Sequence, residues 1–255
     1  MANLATAPQS IGGVLDTGFK LFTASLKHVF LLAAGAALAY APFAVMARRA
    51  AVQPGEVSIG VIFLTGVVLG IVMLVVWGAI LVRLNGVAHE RVVPIGEAFS
   101  IGLRRAPALL VASLVYSLAV GIGTFLILIP GLIIMVYWLF GPIATVTESR
   151  GPIASLGYSF ELVRGHWWRT AGLLTIIGIL ALVLYFVVGV VAGLAVATNI
   201  EQIAAGQMPW YVDFIVGPLL SGIASPLLYS LVLATFYDLK LRHEGGDLAE
   251  RIAAA

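Results

Sequence analysis

The stretch that decides the fold runs from Ala106 to Thr147 and reads APALLVASLVYSLAVGIGTFLILIPGLIIMVYWLFGPIATVT, without a charged residue. One helix of this length would extend roughly 60 Å at about 1.5 Å per residue, about twice the hydrocarbon thickness of a bilayer. The stretch must therefore reverse direction. We predict the turn at Pro130-Gly131, because proline lacks an N–H donor and glycine accepts a positive φ. The two resulting membrane spans are predicted at about 106–128 and 132–148.

The composition of the whole chain supports the same interpretation. Hydrophobic residues make up 61% of the 255 residues and charged residues only 10%, against roughly 25% charged in soluble domains. A soluble fold would leave large apolar patches in water, whereas a bilayer accepts them. We predict an all-α polytopic membrane protein with a single membrane domain, 1–255. The other four spans are expected at about 29–47, 59–82, 170–198 and 214–236, followed by a polar tail at 238–255.

The distribution of lysine and arginine predicts the orientation. With the N-terminus inside, the outer segments contain only Arg48 and Arg49. Positive residues favour the cytoplasmic side, so we expect both termini to be cytoplasmic. The inner segments contain the other twelve: Lys20, Lys27, Arg83, Arg91, Arg104, Arg105, Arg150, Arg164, Arg169, Lys240, Arg242 and Arg251.

Three inner connectors, at about 10–27, 94–105 and 152–165, have the apolar periodicity of amphipathic helices. In the first, one predicted apolar face combines Ile11, Val14, Leu15, Phe19 and Phe22. The six spans then form three hairpins, each preceded by a cytoplasmic interfacial helix. The pattern fits a threefold internal repeat, but it also fits the general tendency of short cytoplasmic connectors to be amphipathic.

Ionisable residues are absent from the centres of the predicted spans, which argues against a proton- or sodium-coupled pump. Two glycine-proline pairs, Gly141-Pro142 and Gly217-Pro218, fall inside spans. Such pairs either break a helix around a binding site or make a packing kink that neighbouring helices satisfy. The GxxxG pair Gly189 and Gly193 suits helix packing either within the chain or between chains.

The chain has no cysteine, which excludes disulfides and thiolate chemistry. Neither a phosphate-binding loop nor a dinucleotide fingerprint occurs, and the histidines lack metal-ligand spacing. We therefore predict neither cofactor nor metal. Nucleic acid is not an expected partner, because basic residues beneath a membrane meet anionic lipid first.

Three stretches together resemble a known family. They are Ser10–Phe19 (SIGGVLDTGF), Ile129–Arg169 with its IPG, GPIASLGYSFELVRG and WWR segments, and Tyr237–Leu248 (YDLKLRHEGGDL). The chain resembles the membrane domain at the N-terminus of some bacterial glycerophosphoryl diester phosphodiesterases, and its stand-alone relatives. In the fused proteins a separate soluble barrel performs the catalysis. The resemblance therefore implies a bacterial inner-membrane protein without the catalytic domain, and no enzyme.

Three functions remain open. The first is a non-enzymatic membrane protein that binds lipids, a protein partner or a second copy of itself, in envelope homeostasis. The second is a transporter or channel for a small solute or amphiphile. The third is an enzyme acting on lipid head groups, which would need a cluster at the inner surface. The candidate residues for such a site are Glu161, Arg164, His166 and Asp238.

Overall fold

A computed structural model describes residues 4–126, 128–196 and 209–253, apart from Pro54 and Glu56. These residues form helices and connecting turns, and the described part contains no strand. Six helical segments are long and apolar enough to cross a membrane, which confirms the predicted all-α fold with six spans. The helices are α1 (Ile11–Val52), α2 (Ile59–Ala88), α3 (Ile95–Leu126), α4 (Leu128–Trp138), α5 (Gly141–Thr147), α6 (Pro152–Val163), α7 (Trp167–Val196) and α8 (Gly217–Ala253). A π-helical segment, Val212–Val216, leads directly into α8.

Helix α1 packs against α8 along much of its length, and α2 packs against α3. Both pairs approach closely at glycines. A Cβ atom on Gly18 would lie 2.9 Å from Leu231 Cα, and a Cβ on Gly102 would lie 2.7 Å from the Val75 carbonyl oxygen. Such contacts need a residue without a side chain.

Hydrogen bonds and ion pairs bring the first parts of α1, α3 and α7 together with the ends of α5 and the last part of α8, so these helix ends lie at one end of the bundle. We call this end of the bundle, which contains Gln9, Arg83, Arg105, Arg169 and Lys240, the basic end. The opposite end contains Arg48, whose Nη2 lies 2.6 Å from Asp213 Oδ2.

The predicted turn at Pro130-Gly131 is wrong. Helix α3 ends at Leu126 and α4 begins at Leu128, so Pro130 and Gly131 both lie inside α4. Proline fits there because the first turn of a helix has no internal partner for its N–H groups. Gly131 serves a close contact instead of a turn, since a Cβ on it would lie 2.5 Å from the Thr124 nitrogen.

The fourth span is broken at the Gly141-Pro142 pair. Helix α4 ends at Trp138 and α5 begins at Gly141. Ser159 of α6 hydrogen-bonds to backbone groups at this break. Its hydroxyl donates to the Tyr137 carbonyl at 2.7 Å and accepts from the Phe140 N–H at 3.1 Å. The break is therefore a packing feature satisfied by a neighbouring helix, the second of the two alternatives above. At Gly217-Pro218 the chain stays helical, passing from the π-helical segment into α8.

The amphipathic connectors differ from one another. The stretches 10–27 and 94–105 continue without a break into the membrane parts of α1 and α3, whereas 152–165 contains the separate helix α6. In α1 the buried residues of this stretch are Val14, Thr17, Gly18, Leu21 and Ser25. At 100° per residue, this face is about a quarter turn from the predicted apolar face, whose Ile11 and Phe19 are 37% and 41% exposed.

The predicted polar tail at 238–255 is helical as far as the structure describes it. Helix α8 continues to Ala253, well beyond the predicted end of the sixth span at 236. Helix α2 likewise runs past the predicted limit of 82 to Ala88, so that Arg83 lies within the helix. Both extensions lie at the basic end, where they build the polar clusters described next.

Candidate functional site

A cavity of about 480 Å³ opens at the basic end between α2, α3, α5 and α8. We call it the basic-end cavity. Helix α2 supplies one wall and α8 the facing wall, and the ends of α5 and α3 complete it. Its polar lining residues are Asn85, His89, Arg91, Glu97, Thr147, Glu148, Ser149, Tyr237 and Lys240.

The polar groups of the cavity bind one another. Lys240 Nζ lies 2.8 Å from Glu148 Oε1, and Arg91 Nη2 lies 2.7 Å from Glu97 Oε1. The Tyr237 hydroxyl donates to Asn85 Oδ1. These pairs give the cavity both signs of charge without a net charge. A ligand with a positive and a negative group matches such a surface.

His89 lies against the aromatic wall of the cavity. Its ring is 5.4 Å from the Tyr237 ring in an edge-to-face arrangement. Its Nδ1 is 2.8 Å from the Asn85 carbonyl oxygen. Because a carbonyl only accepts, Nδ1 carries the proton in this bond, which leaves Nε2 to interact with a ligand.

Two strained residues adjoin the cavity. Glu90 and Ser149 have φ angles of 60° and 55°, and they are the only non-glycine residues with positive φ among those described. Glu90 follows the end of α2, where the Arg91 N–H returns to the Gly86 carbonyl at 2.8 Å. This closure normally uses glycine, and a left-handed residue with a side chain costs roughly 1–2 kcal/mol. Strain of this kind concentrates at functional sites.

An arginine-lined groove of about 360 Å³ adjoins the cavity and shares Ile101 and Ser149 with it. Arg104 and Arg105 line this groove. Arg105 donates to the Ser149 carbonyl at 3.1 Å, and Arg104 donates to the Ser100 carbonyl at 3.3 Å. Neither arginine forms an ion pair with a carboxylate in the described ranges. Their positive charge is therefore available to an anionic group at the cavity mouth.

An apolar cavity of about 380 Å³ lies between the same four helices, farther from the basic end. Trp77, Tyr116, Pro142 and Tyr229 contribute to its lining. Tyr229 precedes Tyr237 of the basic-end cavity by eight residues, which corresponds to about 12 Å along a helix. A polar cavity and an apolar cavity thus follow one another along one helix bundle.

A second polar cluster surrounds Asp238, whose side chain is 2% exposed. Its carboxylate accepts from the Gln9 N–H at 2.8 Å, from Arg169 Nη2 at 2.9 Å and from Arg242 Nε at 3.0 Å. Both arginines also donate to the Gln9 carbonyl at 2.6 Å. The Thr17 hydroxyl donates to the Gln9 side-chain oxygen at 2.9 Å. We call this the Asp238 cluster; it joins the start of the chain to α1, α7 and α8.

The four residues predicted for an enzymatic site are placed differently from one another. Asp238 is buried, His166 is half-buried, and Glu161 and Arg164 are exposed. Within the described ranges, neither a hydrogen bond nor an ion pair joins Asp238 to the other three. The sequence did not predict its partners Gln9, Arg169 and Arg242 as site residues. It also did not predict Asn85, Tyr237 and Lys240 of the cavity. The spacing of Asp238 and Arg242, four residues apart on a helix, was the one available signal.

The described residues contain no group of three histidine, cysteine or acidic side chains that could hold a metal ion. The basic-end cavity is lined by charged side chains, hydroxyls and an amide. Such groups can form charge-assisted hydrogen bonds with a polar ligand.

Comparison with known proteins places the chain in a family without assigning an activity. No curated protein and no solved structure matches it. A family model described as a domain of unknown function, DUF7847, matches residues 58–239. This range begins just before α2, covers more than two thirds of the chain and includes nearly all of the basic-end cavity. The chain belongs to the DUF7847 family.

Proposed function

We propose that this protein is a non-enzymatic membrane protein that binds the polar head group of a membrane lipid in the basic-end cavity. The proposal rests on one observation: a polar cavity and an apolar cavity lie one after the other between α2, α3, α5 and α8. An amphiphile has the same division into a polar and an apolar part. Head-group atoms would interact with Lys240, Glu148 and Asn85, and an acyl chain with the apolar lining around Trp77.

The pairing inside the cavity favours binding over catalysis. A general base must be free to accept a proton from a bound substrate. Glu148 is engaged by Lys240, and Glu97 is engaged by Arg91. Both carboxylates thus have cationic partners, an arrangement that orients a ligand by charge.

The orientation completes the proposal. With both termini cytoplasmic, the basic end faces the cytoplasmic leaflet, where anionic lipids attract lysine and arginine. The resemblance to the membrane domain of glycerophosphoryl diester phosphodiesterases supports a bacterial inner membrane and a role in envelope homeostasis. A protein partner or a second copy of the chain would bind in addition to lipid.

The stacked cavities also favour a second candidate, a transporter for an amphiphile. Moving a lipid would require its head group to leave the basic-end cavity for the opposite leaflet. Fluorescent lipid in proteoliposomes separates the two functions. A binding protein leaves the distribution between leaflets unchanged, whereas a transporter accelerates its exchange.

Native mass spectrometry from nanodiscs tests the binding proposal. The nanodiscs contain equal amounts of phosphatidylethanolamine and phosphatidylglycerol. We expect the wild-type chain to retain lipid, and the double variant Glu148→Gln/Lys240→Gln to retain roughly tenfold less, equivalent to about 1.4 kcal/mol of binding free energy. This variant keeps the net charge, and its Glu148→Gln change also keeps the side-chain length.

The matched control is Asp16→Asn/Lys20→Gln, which removes an ion pair whose side chains are 60% and 70% exposed. It should retain lipid like the wild type. Absence of lipid from the wild type, or equal retention by both double variants, would contradict the proposal.

A further inference from the structure

Arg83 and Asp238 are the two buried charged residues among those described, and they differ in their partners. The exposed fraction of Arg83 is 7%, although it lies only five residues before the end of α2. Its Nε has no hydrogen-bond partner, and in the described ranges it forms no ion pair. The carboxylate of Asp238, which is also buried, accepts hydrogen bonds from three residues. A buried guanidinium without a counter-charge is destabilising, so binding of an anionic group would stabilise it.

The surroundings of Arg83 are cationic. The charges of Arg83 and Lys27 both act on His28 of α1. No carboxylate of the described residues forms an ion pair with any of the three. Arg83 and Lys27 thus carry two positive charges near His28 without an acidic partner in the described ranges, an arrangement that favours an anion.

The position of these residues indicates where the anion comes from. His28 lies where the amphipathic first part of α1 gives way to its apolar part, and Arg83 lies where the apolar run of α2 ends. Both positions correspond to the level of lipid head groups at the basic end. Arg83 is also separate from the basic-end cavity. Val82, Asn85 and Gly86 of α2 line that cavity. Arg83 projects about 100° around the helix from Val82 and is not part of the cavity lining.

We propose that Arg83, together with His28 and Lys27, forms a site for a phosphate group at the basic end of the α1–α2 interface. The planar guanidinium donates two parallel hydrogen bonds to phosphate oxygens, which a lysine cannot do. The phosphate belongs either to the head group of an anionic lipid or to a free phosphate anion. The site does not depend on the cavity of the proposed function.

Thermal unfolding of the full chain in a neutral detergent tests the site. Three additions are compared: phosphatidylglycerol, a diglucosyl diacylglycerol of equal chain length without phosphate, and inorganic phosphate. A ligand that binds only the folded state raises Tm. We expect phosphatidylglycerol to raise the Tm of the wild type and the phosphate-free lipid to raise it much less.

The variant Arg83→Gln should lose at least half of the phosphatidylglycerol-induced rise. Arg83→Lys should lose a smaller part, because charge remains without the guanidinium geometry. The matched control Arg164→Gln changes the same charge at an exposed position and should respond like the wild type. If inorganic phosphate alone produces an Arg83-dependent rise, the site is confirmed and its phosphate source is the free anion.

Two outcomes overturn the proposal. One is an unchanged response to both phosphatidylglycerol and phosphate in Arg83→Gln, and the other is an equal loss in Arg164→Gln. Without added lipid, Arg83→Gln should unfold at or above the wild-type Tm, since it removes an unpaired charge. If it does not fold, Arg83→Lys gives the same comparison. The Glu148→Gln/Lys240→Gln variant should keep the Arg83-dependent rise, so a failure of the cavity proposal leaves this one standing.

Discussion

The two ends of the bundle are held together in different ways. At the basic end, helices are close-packed and polar side chains bind one another across long sequence distances. Toward the opposite end, α2 and α7 expose large apolar side chains: Phe63 is 72% exposed and Phe186 is 67% exposed. All the buried residues of α2 lie between Gly78 and Ala88.

The difference follows from the surrounding solvent. In a bilayer an exposed leucine or phenylalanine contacts apolar lipid chains at little cost, so a span is stable without close protein neighbours. Polar side chains and broken backbone need specific partners. The basic end contains both, and the specific contacts between helices are therefore concentrated there.

The largest effect is expected from Asp238→Ala. It removes the carboxylate that accepts from Gln9, Arg169 and Arg242 and leaves two arginines without their counter-charge. Breaking a buried pair typically costs about 3–5 kcal/mol. The free energy of unfolding in mixed micelles should fall by about this amount. Asp16→Ala removes an exposed partner of Lys20 and should cost less than about 1 kcal/mol. Similar losses in the two variants would show that the buried Asp238 cluster stabilises the fold no more than an exposed ion pair does.

The same substitution at two positions of α7 compares the two halves directly. Leu173 is fully buried beside Val14 and Ala234, whereas Leu182 is 68% exposed. Leu173→Ala should lower the free energy of unfolding by about 3 kcal/mol, because truncating a buried leucine leaves a cavity. Leu182→Ala should lower it by less than about 1 kcal/mol, since lipid refills the space. Denaturant titration of both variants in one detergent gives the comparison, and equal losses would contradict it.

Two glycines test close packing. A Cβ on Gly102 would meet the Val75 carbonyl oxygen and the Ala79 nitrogen, whereas a Cβ on Gly189 would meet nothing within 4 Å. Gly102→Ala should cost about 2 kcal/mol through overpacking. Gly189→Ala should cost nothing, because alanine also favours the helix. The midpoint of thermal unfolding is the measurement. A loss in Gly189→Ala that depends on protein concentration would instead indicate contact between two copies.

The smallest effect concerns the break in the fourth span. Ser159→Ala leaves the Tyr137 carbonyl and the Phe140 N–H without their hydroxyl partner. An unsatisfied buried group costs about 1–3 kcal/mol, and we expect a loss near the low end of this range. Hydrogen exchange at Phe140 should also accelerate. Ser100→Ala, at an exposed serine of α3, is the control and should change neither quantity. Unchanged exchange in Ser159→Ala would mean that another group satisfies the break.

The sequence by itself determined the number of spans and the concentration of positive charge on alternate connectors. Both are local properties, because the hydrophobicity of each segment decides whether it enters a bilayer. The same local reasoning misplaced the turn at Pro130-Gly131, since proline is also favoured in the first turn of a helix. Nor does the apolar face predicted for the first part of α1 tell which side chains contact α8, because lipid and α8 both accept apolar side chains.

Only the tertiary structure decided which side chains meet. Asp238 binds the Gln9 N–H across 229 residues, and the Ser159 hydroxyl occupies a break in another helix. Such contacts depend on how each helix is rotated against its neighbours, which close glycine contacts such as Gly18 on Leu231 set. The same rotation gives Asp238 two arginine partners and leaves Arg83 without a carboxylate among the described residues. Hydropathy carries no information about it, because every rotation of an apolar helix is equally soluble in lipid.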